Sequence, residues 1–176
     1  MQSKIGIVLN LKNFFFPGNN HWLKRILLVF AFILFDYCST LAFCRLPCEE
    51  ANPYVRVFME NFGVQFGLTL FVLVANLPIY ITLCMDSHMV KFPPKIAVAT
   101  ELSVDVMFAW FVAGLHFSGG TSWFWYDPNL MRQVSGALLY LIAAFLLVKP
   151  YGLRCNKKII QCVTTTNILT LLSYDF

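Results

Sequence analysis

The sequence predicts an all-α protein, an integral membrane bundle of four transmembrane helices with N- and C-termini cytoplasmic. Three observations carry this. Apolar residues fill 59% of the 176 positions and charged residues 12%, where a soluble domain averages about 45–50% and about 25%. Mean hydropathy is +0.67. Four apolar stretches, 26–43, 62–84, 96–117 and 130–148, come close to or exceed the roughly 20 residues a lipid-crossing helix needs. The third observation is where the basic residues fall. Ten of the 13 lie before the first stretch, between the second and third, or after the fourth: Lys4, Lys12, Lys24, Arg25, Lys91, Lys95, Lys149, Arg154, Lys157 and Lys158. Only Arg45, Arg56 and Arg132 lie in the other two connections. The positive-inside rule then turns both ends to the cytoplasm, in a cell membrane.

The chain divides into an N-terminal interfacial segment (1–20), a transmembrane domain (21–150) and a cytoplasmic tail (151–176) expected to lie on the surface or stay disordered. Leu11–Phe16 is apolar and stops at Pro17-Gly18, which suits an interfacial segment rather than a cleaved signal. Lys24 and Arg25 are expected to anchor the inner edge of the first span. That span stops near Cys44-Arg45-Leu46-Pro47. Asn52 is a good N-cap and Pro53 fits a first helical turn, so the next helix starts there. Asn61, Gln65, Thr69 and Asn76 share one face of the second span, and Gly63 and Gly67 allow a close helix approach. Pro78 is expected to kink it. In the third span Glu101, Asp105 and His116 fall on one face. Trp123, Trp125 and Tyr126 match an interfacial aromatic belt. Gly136, Ala143 and Ala144 offer contact positions on the fourth.

The six cysteines form no metal pattern. The spacing of Cys44 and Cys48 allows a local disulfide, Cys38 and Cys84 read as buried thiols, and Cys155 and Cys162 fall on the reducing side. No metal or cofactor is implied. No basic array with interleaved aromatics suggests nucleic acid.

Polar residues inside the spans are the candidate site: Asp36, Thr40, Asn76, Glu101, Asp105 and Tyr140. A carboxylate at a helix centre costs about 2.5–3.5 kcal/mol on insertion scales, so each should turn inward to a partner. With Ile26 and Ile96 as inner edges, Asp36 and Asp105 lie about 15 and about 14 Å deep, and are expected to face each other and titrate as a unit. Such carboxylates either bind a proton, cation or polar substrate, or clamp the helices together. On the same depth scale His116 reaches the outer interface.

Asp36-Tyr37-Cys38-Ser39-Thr40, followed by Glu50-Ala51-Asn52-Pro53, resembles a family of small prokaryotic multi-pass membrane proteins known as a domain of unknown function. That family joins an Asp-x3-Thr to a Glu-x-Asn-Pro, and the pattern falls on Asp36, Thr40, Glu50, Asn52 and Pro53. The resemblance spans roughly 27–149 and implies a bundle of about four helices and no particular activity. Physically, Thr40 can donate to Asp36 or to its own backbone. Glu50 can serve the dipole of the second helix or reach back over the first span. Glu50, Asn52, Pro53 and His116 make an outer-face motif.

No hydrolase, zinc-protease or phosphate-loop motif is present. Three readings follow: a membrane accessory or transport-related protein with an intramembrane carboxylate cluster; a membrane enzyme with an outer-face site of Glu50, Asn52, His116 and Asp127; or a structural subunit of a membrane complex. Expected partners are the lipid bilayer and a second copy or larger membrane protein.

Overall fold

The structure, a computed structural model, describes residues 15–16, 20–88 and 94–148. The expectations for the tail, for Cys155 and Cys162, and for most of the N-terminal segment lie outside the described residues. Among the described residues all regular structure is helical. Four helices are long and apolar enough to cross a membrane: Asn20–Phe43, Val64–Met85, Ala99–Thr121 and Asn129–Val148.

Helix α1, Asn20–Phe43, starts six residues before the expected edge. Arg25 is not an interfacial anchor: it is 2% exposed and turned into the bundle, while its neighbour Lys24 is exposed. We call the end of the bundle where α1 starts the near end, and the other the far end. At the far end Pro47, which lacks an N–H, ends the approach and starts a 3-10 turn, Pro47–Glu49. The Glu49 carboxylate accepts the backbone N–H groups of Arg45 and Leu46 at 2.7 and 3.2 Å, which stiffens the turn and holds this carboxyl below the usual range.

The helix expected to run from Pro53 through the second apolar stretch is two helices, not one. α2 (Pro53–Phe62) and α3 (Val64–His88) are separated by Gly63, whose φ of +83° favours glycine over any side chain. α2 folds back on the start of α3, where the absence of a side chain at Gly67 admits the backbone of Phe58 and Met59. The close approach expected of Gly67 therefore serves a local helical corner. Val55 and Met59 of α2 pack there with Cys44 and Leu68, flanked by Tyr37, Leu41 and Trp123. Pro78 lies inside α3, and the Thr82 hydroxyl donates to its carbonyl at 2.9 Å.

The third span is composite. α4 (Pro94–Met107) runs into a π-helical segment, Phe108–Gly114, and then α5 (Leu115–Thr121). A π segment closes i→i+5 bonds and so re-aims the side chains beyond it. His116 follows by two residues. The wide segment packs its small residues, Ala109, Ala113 and Gly114, inward. The fourth span is α6 (Asn129–Ala143) continued by a second π segment, Ala144–Val148. Between spans three and four Arg132 holds the connection, donating to the carbonyls of Trp125 and Asp127 at 2.8 and 2.6 Å.

Val29 and Ile33 of α1, Leu83 of α3, Phe108 and Val112 of the π segment, and Ala137 and Tyr140 of α6 form the main core. Other large apolar side chains, such as Leu34, Leu73, Phe111 and Leu138, face outward, as lipid-facing positions do in a bilayer. Cys38 is exposed rather than buried, whereas Cys84 is fully buried as expected.

Candidate functional site: two polar layers between α1 and the third span

The intramembrane carboxylates do not meet one another. Each meets a basic side chain across the seam between α1 and the third span. Near the near end, one Arg25 Nη2 reaches Asp105 Oδ2 at 2.9 Å and Glu101 Oε1 at 3.3 Å. His21 Nε2 lies 3.2 Å from the same Glu101 oxygen. Glu101 and Asp105 sit four residues apart on α4, so both point at α1, and Glu101 is 7% exposed. Toward the far end, His116 Nδ1 meets Asp36 Oδ2 at 2.8 Å, and about a quarter of each side chain is exposed.

The two layers share one geometry. Arg25 and Asp36 are eleven residues apart on α1, and Asp105 and His116 are eleven apart on the third span; each pair joins residues 80 apart. On α1 eleven residues is close to three whole helical turns, so Arg25 and Asp36 share one face, about 16 Å apart along the helix; on the third span the π segment, which lies between Asp105 and His116, sets the matching step. The partners ascend together, so α1 and the third span are parallel. The polarity reverses between layers: α1 supplies the base below and the acid above.

The expected Asp36–Asp105 contact is therefore corrected. The eleven-residue slip keeps the face and changes the partner. The expected depth of Asp36 is too shallow, because the scale starts at Ile26 where the helix starts at Asn20.

Asp36 also packs on glycine backbone. A Cβ at Gly119 would come 2.7 Å from Asp36 Oδ1, and one at Gly120 would come 3.0 Å from the Asp36 Cα. Ser118-Gly119-Gly120 thus lets α5 close on α1 at the level of the acid. Thr40, one turn beyond Asp36, is buried. Tyr37 and Thr69 share a 2.9 Å hydrogen bond that ties α1 to α3.

Glu50 lies in the connection between α1 and α2. Its Oε1 accepts the Asn52 N–H at 2.9 Å, and Arg56 binds its backbone carbonyl at 3.2 and 2.6 Å. Burial pushes the Glu50 carboxyl up from the usual carboxylate range, and the Asp36 charge pushes the same way. Asn52 caps α2 as expected, its side chain accepting the Tyr54 N–H at 3.0 Å, with Pro53 in the first turn. Cys44 and Cys48 are free thiols. Burial, then the nearby Glu50, raises the Cys44 thiol, which contacts the Leu46 carbonyl at 3.3 Å.

The remaining expected site residues lie apart. The Asn76 amide donates to its own helix, at Val72, at 2.8 Å. Tyr140 is fully buried in the apolar core, edge-on to Phe32 with ring centres 6.0 Å apart. Asp127 accepts from the Trp125 indole within its own turn. Among the described residues no group of three or more His, Cys, Asp or Glu is placed to hold a metal ion. Arg25 and His21 are the residues that sequence reasoning missed. The signal for Arg25 is its eleven-residue step to Asp36, and for His21 its place one turn before Arg25 on the same face.

Fold and seam together define a class: a multi-pass, all-α membrane protein with ionisable groups paired inside the bundle. Comparison adds no closer identification: no family model, no curated protein and no solved structure matches the chain.

Proposed function

We propose that this protein is a non-conducting membrane accessory protein, a small four-span bundle that works by contact with other components of the membrane. The observation that carries this reading is the apolar belt between the two polar layers. Val29, Ile33, Phe108 and Val112 are each 6% exposed or less, and they occupy the height between Arg25 and Asp36. A hydrated path along the seam would need polar side chains or water there, and both are costly in an apolar enclosure. Pairing of Asp36 and Asp105 with basic partners also fits a bundle that neutralises its own buried charge. The enzyme reading has less support: Asn52 is used as a cap, Glu50 accepts the Asn52 N–H within its own loop and Asp127 is held in its own turn, so of that set only His116 lies in the seam. Residence in a cell membrane with both termini cytoplasmic, kinship to the small prokaryotic family, and a second copy or larger protein as partner belong to the same proposal.

The test is flux in proteoliposomes loaded with a pH-sensitive dye. Under an imposed potassium diffusion potential, vesicles holding the full chain should acidify no faster than protein-free vesicles. Proton entry above that background, abolished by Asp36→Asn, would replace the accessory reading with a transport one.

A further inference from the structure

We infer that the cleft between α3 and the third span is a binding site for one acyl chain of a membrane lipid, held by its apolar tail and not by its headgroup. The inference goes beyond the accessory reading and does not depend on it.

The cleft follows from how the helices pair. α3 and the third span both pack along α1, and much less on each other. The recess left between them has a volume of about 190 Å3. Pro78 and Thr82 line it from α3, and Val104, Met107, Phe108 and Phe111 from the third span. It has a floor and a rim: Phe108 is buried, while Met107 and Phe111 are 58% and 61% exposed. Val104 adjoins Asp105 in sequence, and Phe111 stops five residues short of His116. The recess therefore lies at the level of the apolar belt, between the two polar layers.

The chemistry of the walls selects the occupant. Pro78 has no N–H to offer, and the Thr82 hydroxyl is taken up by the Pro78 carbonyl of its own helix at 2.9 Å. Among the described residues no charged side chain lines the recess. A headgroup would find no polar partner there, and apolar cavities of about 150 Å3 stay dry and take up apolar ligands. A helix with its side chains is about 10–12 Å across, too broad to enter. An acyl chain is a thin, flexible rod of methylenes. The recess is also continuous with the outward-facing apolar surface of the same helices, where Leu77 and Val106 are exposed, so a tail already in the bilayer enters from the side. Lipid tails are as apolar as these walls, so the hold comes from close packing against the rings and the thioether of Met107.

Photolabelling of the full-length protein in nanodiscs tests this, with phosphatidylcholine that carries a diazirine midway along one acyl chain. After irradiation, adducts mapped by mass spectrometry should lie several-fold more densely on Thr82, Met107 and Phe111 than on Leu34 and Leu138, which face outward elsewhere. Thr82→Phe fills the recess from an exposed position and should lower the Met107 and Phe111 adducts to the Leu34 level. Thr82→Val keeps the shape and removes only the hydroxyl, so it should label as the native protein does. Equal density at all these positions in the native protein leaves only lipid that surrounds the bundle evenly, and overturns the site. Undiminished Met107 and Phe111 adducts in Thr82→Phe overturn it as well. Loss of the labelling in Thr82→Val would make the hydroxyl the holding group and end the tail-only reading. Recess adducts that vanish in discs holding two copies of the protein, and persist in discs holding one, would assign the face to a second copy instead. Vesicle flux reads a different property, so either proposal can fail alone.

Discussion

Replacing Arg25 by methionine should be among the most damaging single changes in the bundle. The guanidinium is 2% exposed and holds Asp105 at 2.9 Å and Glu101 at 3.3 Å. Methionine keeps much of the length and loses the charge, leaving two acidic groups facing α1 without it. Removing one partner of a buried ion pair typically costs about 3–5 kcal/mol, because the other charge stays buried. Every 1.4 kcal/mol is about tenfold, so the folded-to-unfolded ratio should drop by roughly two to three and a half powers of ten. Lys24→Met, one residue away and exposed, should stay within about 0.5 kcal/mol. The assay is reversible unfolding in mixed detergent micelles. A rescue arm sharpens it: adding Glu101→Gln and Asp105→Asn to Arg25→Met should restore most of the loss, since neutral packing often replaces a buried ion pair without penalty. If Arg25→Met costs no more than Lys24→Met, Arg25 is not clamped in the bundle and the near-end layer does not exist.

Asn52→Ala should cost about 0.5–2 kcal/mol in the same unfolding assay through loss of the α2 cap, while Asn61→Ala, on the exposed side of α2, should cost less. Gly119→Ala places a methyl 2.7 Å from an Asp36 oxygen, so the His116 ring resonances should shift in the NMR spectrum as Asp36 is displaced, and an unchanged His116 would refute the contact. A membrane-impermeant maleimide added to intact cells should modify the exposed Cys48 and leave the buried Cys44 unlabelled; labelling of Cys155 from outside would reverse the proposed orientation.

The spans were legible because long apolar runs have few alternatives in a chain this hydrophobic, and the cap at Asn52 because Asn before Pro has a definite local chemistry. The break at Gly63 was not. A single glycine in a hydrophobic run interrupts no periodicity, and its positive φ is chosen by the packing of Phe58 on Gly67. Nor does any composition rule mark the π segment at Phe108–Gly114. The largest miss begins at the start of α1. A Lys-Arg pair at a span edge ordinarily reads as a headgroup anchor, yet only Lys24 faces outward. Reading Arg25 as an anchor moves the α1 origin by six residues, about 9 Å, and the π segment between Asp105 and His116 adds to the mismatch, so the depth scale matches Asp36 to the wrong turn of the third span. The acids were found; their partners depended on a register that only the packed helices supply.

The central claim is that α1 and the third span are joined by two acid–base contacts of opposite polarity. Dipolar recoupling by solid-state NMR in lipid bilayers measures it directly, with 15N in histidine and arginine and 13C in aspartate side chains, assigned through Asp36→Asn and Asp105→Asn. The account predicts His116–Asp36 and Arg25–Asp105 couplings in one sample, from nitrogen–oxygen contacts of 2.8 and 2.9 Å. A carbon–carbon contact between the Asp36 and Asp105 carboxyls, with neither nitrogen coupling present, would contradict it.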